Sequence, residues 1–125
     1  MKLIKQKTFP QLKRKLDKVF SEYIRKRDMN KPCISCGKYG EKDAGHYHTR
    51  SMLSVRWNEV NVNGQCKYCN RFLEGNKEGY RQGIIERHGQ EALDLLNIKA
   101  RYRGKFYRAD LQLLIDFYKQ KLEGL

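Results

Sequence analysis

Apolar positions recur at helical spacing in four stretches of the chain. Over residues 10–28, Leu12, Leu16, Val19, Phe20 and Tyr23 fall on one face, while Lys13, Arg14, Lys15 and Lys18 lie largely off it. Pro10 suits the first helical turn, where a missing N–H costs nothing, and Asn30-Lys31-Pro32 stops the helix. Residues 77–88 bring Tyr80, Ile84 and Ile85 together and close on Gly89. A short helix follows over 90–98 with Ala92, Leu93, Leu95 and Leu96, and a last one over 109–123 with Leu111, Leu114, Ile115, Tyr118 and Leu122. Such stripes are core faces. Residues 31–76 break the pattern. They hold all four cysteines and many Gly and Asn, and read as two cysteine turns, a β-hairpin and the start of a helix. The pattern predicts a mostly helical α+β domain in three parts. A basic N-terminal helix occupies 1–30, a small core 31–76 and a helical region 77–125, so that amphipathic helices flank the core.

Composition narrows what this domain meets. The chain has 125 residues, one domain by length, and 39% hydrophobic residues are enough for a core. The mean hydropathy is −0.86 and no run of about 20 apolar residues exists, which excludes a helical membrane span. Met1-Lys2-Leu3-Ile4-Lys5 lacks the apolar stretch of a signal peptide, so a cytoplasmic location is expected, with reduced cysteines. Lys and Arg number 27 against 14 Asp and Glu, a net charge of +13 that calls for a polyanionic partner. The excess is uneven. Residues 1–30 hold 10 basic and 3 acidic side chains, Lys13, Arg14, Lys18 and Arg25 among them. A second cluster joins Lys99, Arg101, Arg103, Lys105 and Arg108 to Tyr102, Phe106 and Tyr107, with no acid. Cations suit phosphates and aromatic faces suit bases, so nucleic acid is the expected polyanion.

The cysteines form two pairs, Cys33-Ile-Ser-Cys36 and Cys66-Lys-Tyr-Cys69. Two C-x2-C turns suit one tetrahedral Zn2+, each supplying two thiolates. Four thiolates leave no open position, so this zinc is expected to be structural and to substitute for missing core in a small chain. A thioredoxin-like redox site needs one C-x-x-C in a βαβ setting, which is absent.

Between and after these pairs lie Ala44-Gly45-His46-Tyr47-His48, then Arg56-Trp57-Asn58-Glu59-Val60-Asn61-Val62-Asn63-Gly64-Gln65-Cys66, and then Cys69-Asn70-Arg71. Together with Ser21-Glu-Tyr-Ile-Arg25-Lys-Arg27-Asp28 and Cys33-x-x-Cys36-Gly37, this set resembles the HNH, or ββα-metal, nuclease motif in its zinc-braced form. More closely, it resembles the NinG (Rap) recombination proteins of lambda-like phages, over roughly residues 10–120. The resemblance implies a zinc-stabilised ββα-metal core. It also implies a DNA endonuclease acting on branched recombination intermediates, Holliday junctions and D-loops, in the cytoplasm of a bacterial host. His46 takes the place of the general base, suited by a pKa near neutrality. Asn70 takes that of a ligand to a catalytic Mg2+ or Mn2+, and Asn61 that of the residue that holds the hairpin loop. Many HNH sites carry Asp immediately before the general-base His, and here that position is Gly45. Asp43, Glu74 or His48 then completes the metal shell, His48 through a His-x-His spacing like that of endonuclease VII, or catalysis is impaired. Arg50 and Arg56 are candidate phosphate contacts.

Three functions compete on these observations. The first is a metal-dependent, structure-selective endonuclease, and the second a zinc-containing DNA-binding recombination module without catalysis. The third, a zinc-dependent protein-interaction module, is opposed by the charge. A two-fold substrate suggests a homodimer, for which the stripes at 10–28 and 109–123 are candidate faces unless they bury each other within one chain. Other recombination proteins are further candidate partners.

Overall fold

The first helix, α1 (Phe9–Arg27), begins in a reciprocal cap in the computed structural model, which describes residues 6–125. Residues 1–5 lie outside the described residues, and with them both the start of the basic N-terminal segment and the stretch read for a signal peptide. The Thr8 hydroxyl accepts the Gln11 N–H at 3.3 Å, and the Gln11 side chain accepts the Thr8 N–H at 2.9 Å. Pro10 has no N–H, so two of the three orphan donors of this helix start are thereby satisfied. The helix ends at Arg27, one residue short of the expected 28. Asp28 leaves the helix because its carboxylate accepts the Gly64 N–H at 2.7 Å in the hairpin.

The last helix, α4 (Arg108–Glu123), lies along α1. Leu12, Leu16, Val19, Phe20 and Tyr23 meet Leu111, Ile115 and Tyr118, and Phe20 meets Tyr118 edge to face at 4.7 Å. The two stripes therefore cover each other within one chain. The Glu59 carboxylate closes one end of the seam, accepting from Tyr23 at 2.8 Å, Tyr118 at 3.1 Å and Lys121 at 3.2 Å.

The central segment forms strands β1 (Lys42–His46) and β2 (Val62–Cys66), antiparallel, with Lys42 opposite Cys66 and His46 opposite Val62. Residues 47–61 connect them in place of a tight turn. After β2 the chain makes a single π-helical turn, Tyr68–Phe72, where the sequence pattern predicts the start of a longer helix. Glu74, Gly75 and Asn76 all adopt positive φ and swing the chain away, which ends the turn. Helix α2 (Lys77–His88) then lies against the first cysteine loop, and α3 (Gln90–Ala100) runs two residues beyond the expected 98. The approach of α2 is close enough to require glycine. A Cβ on Gly83 would stand 1.8 Å from the Ile34 carbonyl oxygen. A second apolar cluster gathers Ile34, Val55, Tyr80, Ile84, Leu93 and Leu96. The buried Tyr80 hydroxyl donates to the Gly45 carbonyl at 2.6 Å and accepts the Asn63 N–H at 2.9 Å, which fixes α2 to both strands. Among the described residues no helix is long and apolar enough to cross a membrane.

Candidate functional site

Two short turns bring the cysteines together. Cys33 and Cys36 precede β1, Cys66 ends β2, and Cys69 lies in the π-helical turn. All four sulfurs lie within 4.8 Å of one another, and the Cys36 and Cys66 sulfurs are 3.8 Å apart. A tetrahedron of Zn–S bonds near 2.3 Å has edges of about 3.8 Å, so the arrangement is compatible with a structural zinc. Backbone N–H groups point at these sulfurs. Ser35 and Cys66 donate to Cys33 at 3.4 and 3.3 Å, and Cys69 donates to Cys66 at 3.5 Å. Burial works against the Cys33 thiolate, but the N–H groups of Cys66, Cys36 and Ser35 bring its pKa down to about 7. Among the described residues, the cysteines are the one group of three or more His, Cys, Asp or Glu side chains brought within metal-binding reach.

Beside this centre lies a cleft of about 360 Å³ between α1, the end of β1, the connecting loop and the π-helical turn. His46, Asn70, Arg50, Asp17, Thr49 and Ser21 contribute to its wall. His46 lies 3.0 Å from the Arg56 carbonyl oxygen through Nε2. A carbonyl only accepts, so Nε2 carries the proton and Nδ1 is the basic nitrogen. Burial pushes this imidazole down to about 4, although the Arg56 carbonyl works the other way. It is therefore neutral at physiological pH.

Asp17 organises the opposite wall, and sequence reasoning missed it. Its carboxylate accepts from Arg56 at 3.0 and 2.6 Å, from Arg50 at 2.8 Å and from the Trp57 indole at 2.9 Å. Burial would raise its pKa, but Arg56 and Trp57 hold it below the usual carboxylate range. Both arginines proposed for phosphate are thus already paired. Arg56 is engaged through two nitrogens and mostly buried, whereas Arg50 is engaged through one and remains exposed. No local pattern marks Asp17. It lies 39 residues from Arg56 in sequence, and on α1 it reads as one more polar position.

The other candidates are distributed more widely. Asn61 is fully buried and holds the connecting loop, accepting the His48 N–H at 2.8 Å and donating to the His48 and Val55 carbonyls at 3.1 and 3.0 Å. It reaches the cleft only through that loop. His48 is not brought to the cleft, because its ring turns to Asn97 of α3 at 2.8 Å. Glu74, expected one turn along a helix from Asn70, is exposed in the left-handed bend beyond the turn's end. Asp43 reaches the cleft indirectly, accepting from Asn70 at 3.1 Å and from Arg71 at 3.2 Å. Arg14, Lys18, Arg25, Arg101, Arg103, Lys105 and Arg108 are exposed, and Lys13 is half-buried. His88, at the end of α2, bonds Asn63 at 2.8 Å.

Gly45 has a structural reason. A Cβ there would stand 2.1 Å from Oε1 of Gln65 and 2.9 Å from its Cβ. Gln65 is itself fixed, donating to the Gly75 carbonyl at 2.6 Å and to Ser35 at 2.8 Å. The place of a carboxylate before His46 is filled by a buried amide from the neighbouring strand.

Comparison with known proteins agrees with these motifs. The family model described as "Bacteriophage Lambda NinG protein" matches residues 1–125. The chain is 39% identical over 106 residues to Protein ninG of Escherichia phage lambda, which covers 82% of this chain and 52% of that protein. It is 38% identical over 106 residues to Protein ninG of Escherichia phage 933W, with the same coverages. The chain thus spans about half the length of these curated relatives. No solved structure matches it.

Proposed function

The chain belongs to the NinG family of phage proteins, and we propose that it is a metal-dependent endonuclease of the zinc-braced HNH type that cuts branched DNA during phage recombination. The observation that carries the reading is His46. A neutral imidazole with Nε2–H tied to a carbonyl sits in a cleft with Asn70 and Arg50. His46 at the end of β1 and Asn70 on the turn after β2 stand in the chain order that the resemblance gives to general base and metal ligand, which supports the reading.

In this reading, Nδ1 of His46 takes the proton from the attacking water, while the Arg56 carbonyl keeps the ring in the required tautomer and orientation. DNA phosphate entering the cleft adds negative charge beside the ring, which raises its basicity from about 4 toward the working range. Arg50 turns its free guanidinium nitrogens to that phosphate. A hard cation fits a site with few protein donors, since Mg2+ keeps most of its waters and is held by one or two side chains plus substrate phosphates. The Asn70 oxygen, with Asp43 behind it, would hold Mg2+ or Mn2+, which would supply charge stabilisation for phosphodiester cleavage. The four cysteines would hold a structural zinc and with it the turn that carries Asn70. The basic residues of α1 and the 99–108 segment hold DNA arms by phosphate contacts. The site of action is the cytoplasm of the bacterial host, and a homodimer matches a two-fold junction. Since α1 and α4 cover each other, such a dimer uses another face.

The test incubates purified chain with a labelled four-way junction or matching duplex in Mg2+ or Mn2+. Wild type cuts the junction, and His46→Ala binds it without cutting. Binding by both proteins with no product in either metal leaves a DNA-binding module, the reading that Gly45 favours. Metal analysis finds one zinc per chain, and Cys33→Ser unfolds or aggregates the protein. A reduced, folded protein without zinc sinks the four-thiolate centre.

A further inference from the structure

The π-helical turn faces two ways. Inward it carries Cys69, buried among the other sulfurs. Outward it carries Tyr68 and Phe72, 61% and 74% exposed, with ring centroids 6.0 Å apart and planes inclined by 30°. Leu73 continues the apolar surface at 44% exposure. Single exposed aromatics are ordinary, but two side by side on one short turn form a patch whose exposure folding does not require. The turn is also held by hydrogen bonds. Leu73 N–H donates to the Tyr68 carbonyl at 3.1 Å, Gly75 N–H to the Cys69 carbonyl at 2.9 Å, and Cys69 N–H to the Cys66 sulfur. Asn70, between the two aromatics in sequence, lines the cleft with His46. Exposed Lys67 and Arg71 flank them, Lys67 paired with Glu41 at 3.6 Å and Arg71 with Asp43 at 3.2 Å.

We propose that Tyr68 and Phe72 form a stacking platform for unpaired nucleobases of DNA, placed beside the cleft by the cysteine centre. The proposal rests on the nuclease reading above and gives it a source of structure selectivity. Every base presents a π-face, so stacking on an aromatic ring tolerates sequence but requires a base that is out of its own stack. Bases of continuous duplex are withheld from the platform, and those at a branch or fork are available. Lys67 and Arg71 keep exposed donors beyond these pairs, and such donors select a polyanion over an apolar protein segment by meeting phosphates beside a stacked base.

The experiment is an equilibrium titration of the full zinc-loaded chain without divalent cation other than zinc, so that binding is read apart from cutting. The probes are a forked oligonucleotide carrying 2-aminopurine at an unpaired position and a continuous duplex of the same sequence. Wild type binds the fork more tightly and changes the 2-aminopurine fluorescence. Tyr68→Ala with Phe72→Ala weakens fork binding roughly tenfold or more and abolishes the fluorescence change, while duplex binding stays within about twofold. Tyr68→Phe and Phe72→Tyr retain both signals, and all variants melt as wild type because both rings are exposed. Equal losses on fork and duplex, or no loss on the fork, overturn the platform. So does wild-type self-association that the alanine pair abolishes, which assigns the patch to a second copy. A junction that is never cut leaves the fork result standing, and a failed fork result leaves junction cutting untouched.

Discussion

His46 and Gly45 are neighbours under opposite constraints. Burial holds the His46 pKa near 4, below its unfolded value of about 6.5. The unfolded chain therefore binds the proton first as pH falls. The stability contributed by neutral His46 is complete above about 6.5, declines between 6.5 and 4, and amounts to about 3 kcal/mol. Urea denaturation of wild type and His46→Gln at pH 7 and pH 4.5 should show wild type losing more of its stability. If the nuclease reading holds, the acid limb of the pH–rate profile lies below 6.5, the value expected of a free imidazole. Gly45 tests the packing. Gly45→Ala places a methyl group against Gln65 and should cost about 1–3 kcal/mol, measured by the same denaturation. Gly45→Asp is expected to destabilise the hairpin rather than supply a metal ligand. Residue types and spacing made the cysteines, His46 and Asn70 legible as a set. Asp17 and Gln65 were not legible, because their partners lie across the fold and no local pattern encodes them.

At the level of elements, one buried carboxylate joins three of them. Asp28, at the end of α1, accepts from Arg27 at 2.7 and 2.9 Å, from Gly64 N–H of β2 at 2.7 Å and from Arg87 of α2 at 3.3 Å. Burial would raise its pKa, but Arg27 and the Gly64 N–H hold it below the usual range. Its contribution is present above the unfolded pKa near 3.9 and is lost as pH falls further, through the folded value. Asp28→Ala strands two arginines and a backbone N–H, and should cost about 3–5 kcal/mol at pH 7 in urea denaturation. A change under 1 kcal/mol would show that the carboxylate carries no net stability. The four helices were legible because each buries a stripe of period 3.6. The end of α1 and the single turn after Cys69 were not. The first is set by a hydrogen bond to a strand 36 residues away, the second by three consecutive left-handed residues.

For the whole molecule, the DNA-binding reading would have the net charge of +13 act through cation–phosphate pairs that release counterions. Arg101, Arg103 and Lys105 are exposed ahead of α4. Replacing each with Ala should weaken fork and duplex binding alike, and flatten the plot of log affinity against log salt by about 0.9 for each phosphate no longer neutralised. A variant that changes fork affinity alone would remove these residues from the phosphate-binding set. The packing of α1 on α4 has one more consequence, in time. The ribosome makes α1 before its partner α4, with residues 28–107 between them. At 5–20 residues per second, the stripe of Leu12, Leu16, Val19 and Phe20 stays uncovered for roughly 4–16 s of synthesis. The hairpin and its cysteines emerge during that interval. The nascent chain thus exposes all four cysteines before its largest apolar seam can close.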